Sequence, residues 1–106
     1  MSDLIAFLKA RLDEDEAGAR ELLAYNEAAR ARGLASTLWD EEDARARRVL
    51  RDVEADRRIL TLLERDVVDG RERDYEATEA LERVVKIRAG RFSDHPDYRQ
   101  EWKPSA

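Results

Sequence analysis

Two long apolar stripes, each advancing alternately by three and four residues, constrain this chain more than any other feature. The first passes through Ile5, Leu8, Leu12, Asp15, Ala19, Leu22, Asn26 and Ala29. The second passes through Trp39, Glu42, Ala46, Val49, Val53, Asp56, Leu60, Leu63 and Val67. A helix gathers positions at that spacing onto one side, and a seam this narrow is buried by zipping against a second helix. Gly33 supplies the left-handed residue that often ends a helix. The stretch Leu34–Leu38 is a short connection, so the two helices are expected as antiparallel neighbours. Folding about residues 35–36 sets Leu22 near Val49, Ala19 near Val53, Leu12 near Leu60 and Leu8 near Leu63.

The expected architecture is a single all-α domain over residues 1–106. It comprises helices at 3–32, 37–69 and 72–89, then an ordered tail at 91–106. Each long helix measures about 45 Å at 1.5 Å per residue. Ser2 or Asp3 caps the first helix, and Ser36 or Thr37 the second. Asp40, Glu41, Glu42 and Asp43 follow, where carboxylates meet the positive end of the helix dipole. Gly70 and Gly90 end the second and third helices. Ser93-Asp94-His95-Pro96 reads as a capped turn, with Pro96 opening a short helical turn through Trp102. Leu4, Phe7, Leu23, Leu50, Ile59 and Leu62 widen the stripe beyond a two-helix seam, so a third surface is required. Helix 3, with Tyr75, Thr78, Leu81, Val84, Val85 and Ile87, supplies one. It either completes a three-helix bundle or is shared with a second copy.

Composition limits the function classes. Of the 106 residues, 42% are charged and 42% apolar, many of the latter alanine. The core is therefore thin, and a protein partner or a homo-oligomer is expected. The net charge is −5, and no segment has the basic excess of a nucleic-acid binder. Arginine outnumbers lysine 17 to 3, the bias of a GC-rich genome. With no cysteine, disulfides, thiolate catalysis and cysteine-ligated metals are excluded. No segment approaches the roughly 20 apolar residues of a membrane span. The start also lacks the apolar stretch of a signal peptide, so the chain reads as cytoplasmic.

The polar interruptions of the stripes are the candidate sites. Asp15 and Asp56 fall in one layer of the expected register. Facing carboxylates repel, so they mark either a metal or acid–base pair or a site neutralised by Arg11, Arg57, Arg58, Arg83 or Arg88. The ion-paired reading is the expected one, because buried ionisable groups are normally paired. Asn26 is expected to set register, or to lie exposed near the helix end. His95, the single histidine, is expected to serve the turn around Pro96 together with Asp94 and Asp97. Glu79 and Glu82, and again Asp94 and Asp97, have the spacing of magnesium-binding pairs in all-α nucleotide pyrophosphatases. The second pair straddles Pro96 and does not fit a regular helix. Arg45, Arg47, Arg48, Arg51, Arg57 and Arg58 interleave with Asp52, Glu54 and Asp56, the pattern of a solvated, ion-paired face. No catalytic residue, metal or cofactor is therefore expected. Trp102, Tyr98 and Phe92 concentrate aromatic surface in the tail, and Trp39 opens the second helix. These rings either pack on the bundle or form a hot spot for a partner. If helix 3 ends at the loop end of the hairpin, the tail meets Trp39 there.

Three stretches carry a resemblance. They are Asp3–Glu16, Ala46–Leu60 and the run Ser93-Asp94-His95-Pro96-Asp97-Tyr98-Arg99-Gln100-Glu101-Trp102-Lys103-Pro104. In that order they resemble an uncharacterised family of small proteins from actinobacteria and their phages. The tail is the most specific, because helical periodicity does not demand its residues. Members often carry a longer, Trp-containing insert between the first two stretches, here reduced to the short connection. The resemblance implies an actinobacterial or phage origin and carries over no catalytic residue. The expected function is a non-catalytic protein-interaction module which, if phage-encoded, modulates a host or virion protein. The alternatives are a metal-dependent enzyme using the seam carboxylates and nucleic-acid binding through the Arg-rich face of helix 2.

Overall fold

The periodicity is realised as three helices: α1 (Ser2–Ala31), α2 (Thr37–Val68) and α3 (Tyr75–Ala89). Two short 3₁₀ turns, Gly90–Phe92 and Gln100–Trp102, follow them. A computed structural model describes residues 1–34, 37–68 and 75–104 of the chain, and no strand occurs among them. The expected cap at Ser36, the stop at Gly70 and the start of helix 3 at Glu72 lie outside the described residues. So do the side chains of Thr37, Val67 and Tyr75.

α1 and α2 zip together antiparallel in the expected register. Leu8, Leu12, Val53, Leu60 and Leu63 are buried in one core cluster. Polar bonds across the pair hold the same alignment along its length. Lys9 Nζ lies 2.7 Å from Glu64 Oε1. Arg57 Nη2 donates to Asp13 Oδ1 at 2.9 Å. Asn26 Nδ2 donates to Asp43 Oδ1 at 2.9 Å.

The C-terminus of α1 forms as expected. Gly33 has φ 81°. Its N–H bonds the carbonyl of Arg30 at 2.9 Å, and that of Leu34 bonds Ala29 at 3.2 Å, the paired bonds of a Schellman cap. Two local expectations are corrected. Neither Ser2 nor Asp3 caps α1: the helix starts from Met1 without a side-chain cap, and the Asp3 carboxylate instead accepts a bond from Arg99 at 3.0 Å. α3 stops at Ala89, just before Gly90, as expected, and the chain tightens there into a 3₁₀ turn. The turn before Trp102 opens after Arg99, not at Pro96.

The length of α3 decides the shape. It has 15 residues against 30 in α1 and 32 in α2. It packs back along α2, buries Val85 and Ala89, and ends in the layer of Asp56, where Arg88 lies 3.2 Å from that carboxylate. The tail then runs back along α1 to Phe7 and Asp3. One half of the hairpin thus gains a third layer and the other half does not. The molecule measures 58 × 27 × 20 Å with a radius of gyration of 17.4 Å, against about 13 Å for a compact domain of this size.

Candidate functional site

Four features of this frame carry polar or exposed apolar groups that a function could use. The first is the Asp56 layer. Asp56 is 1% exposed in the middle of α2. Arg88 Nε lies 3.2 Å from Oδ1, and Arg91 Nη2 lies 2.7 Å from Oδ2. Both are charge contacts, not aligned hydrogen bonds. Arg88 was among the expected partners; Arg91 was not. Arg57 and Arg58 go elsewhere, to Asp13 and Glu16 and to Glu54 respectively. Asp15, across the seam, is half-buried. Burial pushes its carboxyl above the ordinary aspartate range, and Arg91 opposes that; Glu14 and Asp56 raise it further, while Arg11 lowers it. Arg91 therefore offsets the negative charge of both aspartates.

A carboxyl raised on folding favours its neutral form. Its contribution to stability is present at low pH and is lost as pH rises through the raised value. Asp15→Asn is therefore expected to raise the melting temperature at neutral pH. The gain should shrink as pH falls through the Asp15 titration, as a thermal series across pH will show. Among the described residues, no group of three or more His, Asp or Glu side chains could hold a metal ion. Glu79 is exposed and Glu82 half-buried, and among the described residues no third carboxylate or histidine completes a site with them.

The second feature is a polar network at the loop end. Asn26 is 0% exposed, and its Nδ2 donates to Asp43 Oδ1 at 2.9 Å and Glu42 Oε2 at 3.3 Å. The buried Asp43 also pairs with Arg30 at 2.7 Å, and Arg30 donates to Asp40 at 3.1 Å. The Asn26 amide holds the Asp43 carboxyl below its ordinary range; burial opposes this, and Arg30 and Arg47 reinforce it. These bonds tie the last turns of α1 to the first turns of α2. Asn26 thus sits where a register-setting residue belongs. Spacing puts Glu42 on the α2 stripe, but it gives no sign that Asp43 is the buried partner of Asn26.

The third feature is the aromatic tail. Phe7, read from sequence only as widening the stripe, is its hub. Its ring centroid lies 6.4 Å from Phe92, 5.6 Å from His95, 5.9 Å from Tyr98 and 5.0 Å from Trp102. Tyr98 and Trp102 are each 8% exposed and belong to the core. Arg11 lies over the Phe7 ring at 5.2 Å and bonds His95 Nδ1 at 2.9 Å. The Asp97 amide donates to the same nitrogen at 3.0 Å, so His95 serves the turn. These rings pack inward on the chain itself. Trp39 is half-buried at the opposite end. The tail does not reach it, because α3 stops midway and the tail turns back toward Phe7.

The fourth feature is the face that α3 leaves open. The side of α1 covered by the tail, at Phe7 and Arg11, continues through Gly18, Leu22 and Tyr25. Gly18, Ala19, Leu22, Ala46 and Val49 line a groove there, with Glu14, Asp15 and Arg45 at its rim. Tyr25 is 65% exposed and Leu38 64%. The opposite face of the hairpin is polar, lined by Glu16, Arg20, Arg51, Glu54 and Arg57 around Leu50 and Val53. The open groove was not anticipated, since only the length of α3 relative to the hairpin reveals it.

No helix among the described residues is long and apolar enough to cross a membrane. No curated protein and no solved structure matches the chain. A model described as "Family of unknown function (DUF6221)" matches residues 1–104, from the start of α1 through the aromatic tail. The chain belongs to this family, DUF6221.

Proposed function

We propose that this protein is a non-catalytic helical interaction module that binds a protein partner through the open groove of its hairpin. The observation behind this reading is the half-covered face. α3 lies on one half of it; on the other, Leu22 and Val49 line the open groove and Tyr25 is 65% exposed. The covered half supports this reading, because it is filled by an amphipathic helix that buries small and branched apolar residues, Val85 and Ala89. Helix-in-groove recognition uses the same physics. An actinobacterial or phage source fits the 17 arginines against 3 lysines. An intracellular setting suits a chain without cysteine. In a phage, such a module acts on a host or virion protein.

The metal-enzyme alternative draws no support from the Asp15–Asp56 layer, where arginines occupy the place of a cation. Nucleic-acid binding through α2 is opposed by the pairing of Arg57 and Arg58 with carboxylates. The test is affinity capture from extracts of the native host, with the wild-type chain and a Leu22→Glu variant as baits. A partner should be retained by the first and depleted about tenfold or more with the second, at equal helicity. Equal retention by both baits would refute the groove as the binding surface.

A further inference from the structure

The groove is matched by a ridge on the same chain. α3 buries Val85 and Ala89, yet its outer side is also apolar. Ile87 is 62% exposed and Val84 38%, and Ala80 is exposed one turn earlier. Glycine weakens a helix interior, and Gly18 sits in the middle of α1. A Cβ built there meets nothing within 4 Å, so no contact within the chain explains the glycine. It lies on the floor of the open groove.

Resting on the interaction reading above, we infer that the occupant of the groove is α3 of a second copy of this chain, seated reciprocally. A two-fold axis crosses the long axis at mid-length, where α3 ends. Each α3 then lies between its own hairpin and the open half of the partner's hairpin. The two α3 helices meet end to end in one central layer, and both steps in the outline are filled. α3 has 15 residues, or about 22 Å, close to the length of α1 from Gly18 to Ala31 at 1.5 Å per residue. At these levels Ile87 enters the space over Gly18, Val84 meets Leu22 and Val49, and Ala80 faces Tyr25. Two such contacts, each about 22 Å long and about 11 Å wide, bury on the order of 1,000 Å² in total, where specific interfaces begin. The arrangement is isologous and closed, so it ends at two chains.

Light scattering at submillimolar concentration tests this. The wild-type chain should have about twice the 12.3 kDa of one copy. Ile87→Glu, which puts a charge on an exposed position, should give single chains at unchanged helicity. Gly18→Leu, which fills the floor while favouring the helix, should also give single chains. The chain has no cysteine of its own. A Val49→Cys/Val84→Cys variant should therefore oxidise to a disulfide-linked dimer. A wild-type mass of one chain, or a dimer that survives both Ile87→Glu and Gly18→Leu, would overturn the inference. The single-chain result leaves the broader interaction reading to be decided by the Leu22→Glu bait.

Discussion

Trp102→Ala is expected to destabilise the protein by about 3–5 kcal/mol, the range for removing a large buried aromatic side chain. The residue belongs to the tail that follows α3. Here its indole is 8% exposed, lies 5.0 Å from the Phe7 ring and 5.6 Å from Tyr98, and carries Arg99 over its face at 5.4 Å. Leu4, Phe7 and Tyr98 share its cluster. Removing the ring opens a cavity beneath the tail and frees the loop that the Arg99–Asp3 pair also holds. Urea denaturation measures the loss, and Trp102→Phe should recover a substantial part of it. A loss below about 1 kcal/mol would place the tail outside the core, since surface substitutions stay within about 0.5 kcal/mol.

The second large effect concerns the charges around Asp56. Replacing Arg88 and Arg91 together with alanine leaves a carboxylate 1% exposed without a cation. Breaking a buried pair from one side costs about 3–5 kcal/mol, because the remaining charge cannot be solvated. Both arginines are partly exposed, at 46% and 34% of the side chain, so the lower end of that range is expected. Either single replacement should cost less, since one cation remains. Adding Asp56→Leu to the double variant should restore most of the stability, because no buried charge is then left. Thermal and urea unfolding of the series checks this. If the triple variant is no more stable than the double, the penalty does not come from an uncompensated carboxylate.

The hairpin was legible because one local rule, the three-and-four spacing, governs both of its helices. Register followed from folding the chain about the short connection at residues 35–36, which sets Leu12 against Leu60. The same rule exposed Asp56 and Asn26 as misplaced polar groups, and Asn26 proved to be tied across the seam. What stayed hidden depends on where α3 and the tail land. Arg91 meets Asp56 only because α3 runs antiparallel to α2 and ends halfway along it, which periodicity does not encode. Asp3 looked like a cap, but its partner Arg99 is 96 positions away in sequence. Phe7 lies beside the stripe, so its part as the aromatic hub depends on the tail reaching it. The open groove is the negative of these long-range choices and was invisible for the same reason.

α3 and the tail close one end of the hairpin and leave the other end without a third layer from the same chain. Nuclear Overhauser contacts from the Trp102 indole test this most directly. Cross-peaks to Phe7, Tyr98 and Leu4, with none to Trp39, Leu22 or Val49, are the predicted result. Contacts from Trp102 to Leu22, Val49 or Trp39 would instead place the tail over the groove and leave the other end of the hairpin open.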